Sequence, residues 1–136
     1  MRSISKIYLH HSASSTSTTV TDVIAWHKAR GFNTIGYHYF ISYDGKIHVG
    51  RQEATVGAHV KGDNAHSIGI CLAGNSETLP MSVEQAESVS VLLEHLVDKH
   101  DLKRSDVYGH REHKGAATLC PGKYNMEWLE AWRKAS

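Results

Sequence analysis

The sequence predicts an α/β fold, a mixed central β-sheet flanked by helices, as one domain spanning residues 1–136. Three observations carry that prediction. Short β-branched or aromatic runs alternate along the chain with stretches of helical period. One run, Ser67–Gly74, is apolar almost throughout, as a strand covered on both faces has to be. A chain of 136 residues also buries roughly two thirds of its unfolded surface, so a single core serves all of it.

The elements follow in order. Lys6-Ile7-Tyr8-Leu9-His10 is a short strand, closed by a Ser/Thr-rich loop from Ser12 to Thr19. Val20, Val23, Ile24 and His27 fall at helical spacing; the helix starts near Thr21 or Asp22 and stops at Gly31. Gly36–Tyr43 is a second strand, and Asp44-Gly45 is a two-residue hairpin turn into Lys46–Gly50. A glycine- and histidine-rich loop, Gly57–Asn64, leads into Ser67–Gly74, the central strand. Ser82 and Gln85 form a capping box. It opens the longest helix, with Ala86, Val89, Leu92, Leu93, Leu96 and Val97 as its inward stripe. Asp106–Gly109 is a last short strand ending at His110, and Met126, Leu129 and Trp132, with Trp128 beside them, make a short amphipathic helix. No internal repeat interrupts this order.

Composition narrows the function. A formal charge of +1 offers no clustered basic face for nucleic acid. No segment approaches the ~20 apolar residues of a membrane helix. Met1–Lys6 has charge but no apolar stretch behind it, so the expectation is a product made in the cytoplasm without a Sec-type signal. In that compartment the two cysteines, Cys71 and Cys120, are expected to be free thiols or a metal ligand rather than a disulfide. Eleven histidines are many for this length, and His27, His66, His95 and His113 are expected on solvated faces.

Three residues point to chemistry: His10 at the end of the first strand, His110 in Tyr108-Gly109-His110-Arg111, and Cys120 in Thr118-Leu119-Cys120-Pro121. Two imidazoles and a thiolate make a three-ligand zinc site whose fourth position stays open for water, the arrangement of catalytic rather than structural zinc. Such an ion lowers the pKa of its water toward ~7 and polarises carbonyls, which suits amide hydrolysis. By spacing alone the same residues also fit two hydrogen-bonded histidines and a buried thiol. His10 and His11 compete, because adjacent strand residues face opposite ways and only one can ligate.

Further segments bear on that choice: Leu9-His10-His11-Ser12, Trp26–Gly31, Gly36-Tyr37-His38-Tyr39-Phe40-Ile41, Asp44-Gly45, Gly50-Arg51, Val56-Gly57-Ala58-His59, Gly62-Asp63-Asn64, Ser67–Leu72, Gly109-His110-Arg111 and Cys120-Pro121-Gly122. In type and order they resemble the zinc-dependent N-acetylmuramoyl-L-alanine amidases, the family of the amidase-type phage lysozymes and the peptidoglycan recognition proteins. The likeness spans nearly the whole chain and is nearest to the small phage lysozymes.

The resemblance implies one zinc ion held by His10 (not His11), His110 and Cys120, with Tyr37 as a catalytic phenol able to bond the attacking water or the developing oxyanion. It also implies peptidoglycan as substrate, cut between N-acetylmuramic acid and L-alanine. The expected setting is a monomeric phage or prophage endolysin that reaches the wall with a holin's help. His59 and Asn64 are expected to contact the stem peptide or glycan from a groove wall. Two departures stand out. Thr118 occupies the place where the phage lysozyme carries a lysine, as in the catalytic recognition proteins. The His110–Cys120 loop is slightly longer, with Lys114 inside it. His38 is expected to fill a strand and Cys71 to be an inert core thiol. The rival expectation is a peptidoglycan-binding module of the same fold without turnover, although non-catalytic relatives commonly lack the cysteine that this chain keeps. One phage relative also binds an RNA polymerase; no surface for that is legible here.

Overall fold

A computed structural model describes residues 2–135; Met1 and Ser136, the ends of the expected domain, lie outside the described residues. Five strands form one sheet: β1 (Lys6–His11), β2 (Tyr39–Ile41), β3 (Ile47–Val49), β4 (Ser67–Leu72) and β5 (Val107–Gly109). Their order is β3-β2-β4-β1-β5. β1 runs parallel to both β4 and β5, β2 parallel to β4, and only β3 is antiparallel, so the sheet is mixed as expected. Three α-helices cover it: α1 (Val20–Ala29), α2 (Val83–Lys99) and α3 (Lys123–Lys134).

Strand alternation assigns the two faces. Ile7 and Leu9 of β1, with Ile68, Ile70 and Leu72 of β4, pack against Val89, Leu92, Leu93 and Leu96 of α2 and Met126, Leu129 and Trp132 of α3. The opposite face carries Phe40 and Cys71 under Val23 of α1. Residues of β1 and β4 with the second parity, Tyr8 and His10 beside Ser67, Gly69 and Cys71, therefore share that face. The β4 run reads as apolar on both sides because each side meets a helix layer.

The helix starts are built by local hydrogen bonds. Ser82 Oγ accepts from the Gln85 N–H while Gln85 Oε1 accepts from the Ser82 N–H, the expected capping box. Fully buried Gln85 then uses its amide on the carbonyls of Ile41 and Ala73, fastening α2 to the sheet. A second capping box, Thr19 with Asp22, starts α1 at Val20, one or two residues before the expected Thr21 or Asp22.

Four expectations are corrected. The hairpin loop has three residues, Tyr43–Gly45, since the Ser42 N–H donates to Lys46 O and the Gly45 N–H to Ser42 O; Gly45 at φ +87° supplies the left-handed position this loop needs. The second strand shrinks to Tyr39–Ile41: His38 still exchanges backbone bonds with Gly69 and Gly50, but Tyr37 O turns to the Arg51 N–H and Gly36 O to the Ala58 N–H, so the regular pairing stops. There the Gly36 N–H donates to His27 Nδ1 at 2.7 Å, which also makes His27 a buried acceptor instead of a solvated residue. His113 is half-buried, its Nδ1 3.2 Å from the Tyr8 hydroxyl, whereas His66 and His95 are exposed as expected. Neither cysteine is in a disulfide. Among the described residues no helix is long and apolar enough to cross a membrane.

Candidate metal centre

The first donor comes from the carboxyl end of β1 and the second from the residue after β5, two neighbouring parallel strands. Ligands in α/β sheets gather at that end because the strands stop there and loops take over. The third donor, Cys120, lies ten residues beyond His110, yet the Arg111 N–H donates to Cys120 O at 2.7 Å, so one backbone hydrogen bond closes the loop between them. The outer turn of that loop is tied to α3 through Arg133, which reaches Glu112 at 2.8 Å and 3.1 Å.

The ligating atoms of His10, His110 and Cys120 all lie within 4.8 Å of one another, and among the described residues no other group of histidine, cysteine and acidic side chains converges this way. Cys120 Sγ is 3.4 Å from His10 Nδ1 and also accepts the His11 N–H at 3.4 Å. Zinc with nitrogen at ~2.0–2.1 Å and sulfur at ~2.3 Å in tetrahedral array has donor–donor edges of about 3.4–3.6 Å. The Cys120–His10 separation matches such an edge, and a borderline-soft N₂S set is the donor chemistry zinc takes. The residues fit the ion. His11 points to the other face, where its Nδ1 accepts the Ser76 N–H at 3.0 Å.

Burial tunes these groups in the same sense. It holds His10 well below the ordinary imidazole range, reinforced by His59 and His110, and lowers His110 as well. Both rings are therefore neutral, the form that ligates. Burial pushes the Cys120 thiol up to about 12, partly offset by the His11 N–H, so a neighbouring cation is needed for the thiolate to persist.

Tyr37 packs its ring 4.8 Å from that of His10 and 5.4 Å from that of His27. Burial first, then the Cys71 and Cys120 thiols, raise its phenol well above the usual tyrosine value, so it remains a proton-bearing donor. Thr118 Oγ1 accepts the Cys120 N–H at 3.1 Å, which leaves the hydroxyl proton to be given elsewhere. A groove of about 470 Å3 opens beside His110, lined also by Arg30, Phe32, Ala58, His59, Lys61, Gly62 and Asn64. Lys114 is exposed and lines a separate depression of about 150 Å3 with Lys61, His110 and His113.

His59 and Asn64 stand on the groove wall, but their polar atoms are largely engaged inward. His59 Nδ1 is 2.9 Å from His10 Nε2, and its Nε2 is 3.2 Å from Ser67 Oγ. Asn64 Oδ1 accepts both the His59 N–H (2.9 Å) and the Val60 N–H (2.8 Å). His38 is fully buried outside the strand, bonding Gly69 N–H and standing 2.8 Å from Thr55 O. Sequence reasoning missed His27 and Ser67 as parts of this region. Gly69, a glycine in the middle of an apolar strand, signals a close approach, which is that of the His59 ring and hence of its partner Ser67; nothing comparable marks His27.

The fold and this cluster define a peptidoglycan-amidase type of protein. The chain belongs to the N-acetylmuramoyl-L-alanine amidase family, whose model matches residues 1–123. It is 33% identical over 131 residues to the endolysin of Escherichia phage T7, covering 91% of this chain and 84% of that protein. Among solved structures it is similar to the N-acetylmuramoyl-L-alanine amidase LysC from Clostridium intestinale, with TM-score 0.87, 32% identity, and coverage of 96% of this chain and 85% of that one. It is also similar to a mutant of Drosophila PGRP-LB in complex with tracheal cytotoxin, with TM-score 0.85, 26% identity, and coverage of 100% and 85%.

Proposed function

We propose that this chain is a zinc-dependent N-acetylmuramoyl-L-alanine amidase of the phage endolysin kind, hydrolysing the amide between the lactyl group of N-acetylmuramic acid and the L-alanine of the stem peptide. The observation that carries this reading is the convergence of His10, His110 and Cys120 beside Tyr37 at the edge of an open groove.

His10, His110 and Cys120 would hold one zinc ion. When bound, zinc supplies Lewis acidity toward a scissile carbonyl and a hydroxide nucleophile near neutral pH. The chain's own residues do the rest. Tyr37 keeps its proton and donates a hydrogen bond toward the oxyanion that develops on the carbonyl. Thr118, whose oxygen already accepts the Cys120 amide, offers its hydroxyl proton to the same oxygen. It brings no charge there, unlike a lysine. The groove receives the glycan strand and stem peptide, with Asn64 and the ring edge of His59 on its wall. We place the action at the cell wall, on a monomer made in the host cytoplasm and admitted by a holin.

Muropeptide analysis of sacculi digested by the zinc-loaded chain tests this. Free L-alanine amino termini accumulate while the glycan stays uncut. If zinc-loaded protein binds sacculi and releases no such termini, the chain is a binding module and the amidase reading falls.

A further inference from the structure

Both ring nitrogens of His59 are spoken for, and following the protons outward from one backbone oxygen gives their direction. Ser67 Oγ lies 2.8 Å from Asp63 O, and a carbonyl can only accept, so the Ser67 proton points there. Ser67 Oγ must then accept from His59 Nε2, 3.2 Å away, which puts the His59 proton on Nε2. His59 Nδ1 is thereby bare and accepts at 2.9 Å from His10 Nε2, which has to carry hydrogen. His10 Nδ1 is left unprotonated, and that is the nitrogen facing Cys120 Sγ. Burial shields every link from competing water: His10 is 1% exposed, Ser67 0% and His59 9%.

The ring that transmits this is held on all sides. A Cβ on Gly69 would lie 2.7 Å from His59 Cγ and Nδ1, and one on Gly57 would lie 2.8 Å from His59 Cδ2, so two glycines make the slot. Asn64 fixes the backbone at the same point through the His59 and Val60 N–H groups. We infer that His59, set by Ser67 and Asn64, is a positioning residue that presets the His10 tautomer and ring orientation so that Nδ1 is ready for the metal. The inference rests on the reading of His10 as a ligand, and it gives His59 a role inside the site in addition to its place on the groove wall. Such outer partners fix ligand orientation, and their loss typically costs ~10–100-fold in metal affinity.

The experiment uses the full chain. Nitrogen-15 imidazole spectra of the metal-free protein report the His10 tautomer, and competition with a chromophoric chelator reports zinc affinity. The wild-type shows His10 protonated on Nε2. His59→Phe loses about 10–100-fold in zinc affinity and shows mixed His10 tautomers; His59→Gln, which keeps an acceptor, recovers part of the loss. Ser67→Ala, a milder change that spares the ring packing, also mixes the tautomers and serves should His59→Phe fail to fold. A His10 proton on Nδ1 in the wild-type, or undiminished affinity and an unchanged tautomer in these variants, overturns the inference while leaving zinc binding intact. A wild-type chain that binds no zinc instead removes the metal reading, and the tautomer measurement then decides the role of His59 by itself.

Discussion

Gly69→Ala places a single methyl group where the fold leaves none. The added Cβ lands 2.7 Å from His59 Cγ and Nδ1 and 2.9 Å from Cδ2, against ordinary carbon contacts of about 3.5–4.0 Å. The ring has to retreat by about 1 Å, and Gly57 closes the slot with contacts that would be 2.8 Å on its own side. A retreat of that size takes the 2.9 Å bond to His10 Nε2 beyond hydrogen-bonding range. Overpacking of this kind costs about 1–3 kcal/mol. A domain of 136 residues has an unfolding entropy of about 0.29 kcal/mol/K, which converts that cost to a Tm lower by about 4–10 °C. Thermal unfolding of the metal-free variant measures the first effect, and zinc titration measures the accompanying loss of affinity. A variant that melts within about 1 °C of wild-type and binds zinc equally well refutes the reasoning, because the slot would then be wider than the contacts imply.

Other outcomes follow from the same geometry. Tyr37→Phe lowers turnover of sacculi by about 10²–10³-fold while leaving zinc affinity unchanged; equal rates would remove the phenol from the reaction. Cys120→Ser abolishes stoichiometric zinc and lytic activity together, read by elemental analysis and turbidity clearing, and a variant that keeps its zinc would disqualify the thiol as a ligand. The metal-free chain loses stability in mild acid through His38. Burial, with Arg2 nearby and partly opposed by the Thr55 carbonyl, takes its ring from 6.5 to about 4. Between those values the unfolded chain binds a proton that the folded chain refuses, so this contribution is fully present above pH 6.5 and is lost as pH falls toward 4. Melting curves from pH 8 down to 4.5 check it, and a Tm that stays flat through that range counts against it.

Much of the fold was readable because pattern and packing agree. The β1 run, the β4 run and the α2 capping box each need only local chemistry to be placed. The box stands where expected, β1 runs one residue further, to His11, and β4 stops at Leu72, two residues short of the expected Gly74. What escaped depends on partners far along the chain. The Gly36–Tyr43 segment has strand composition, yet Gly36 gives its N–H to the His27 ring and its carbonyl to the Ala58 N–H, so regular pairing survives only over Tyr39–Ile41. His27 looked solvated because helical period alone does not reveal a loop that folds back to use its nitrogen. The three candidate metal donors were legible as residue types, and the family pattern favoured His10 over His11; strand parity agrees, since His10 shares a face with Tyr8 while His11 turns toward Ser76. The His59–Ser67 link lay hidden in sequence because its two ends are common polar residues eight positions apart. Only the β1–β4 register brings them under His10.

The backbone bond from Arg111 to Cys120 also bears on how such chains diversify. Because it pins the two ends of the segment, residues between them can change in number without altering the distance between His110 and Cys120. Gly115, at φ +92° with open space where a side chain would begin, marks the place where added length meets least resistance. Insertions there should be tolerated by the metal centre while reshaping the rim of the neighbouring depression. The turn at Gly115, unlike Thr118 further along the same loop, is thus a place where the rim can be revised and the chemistry left alone.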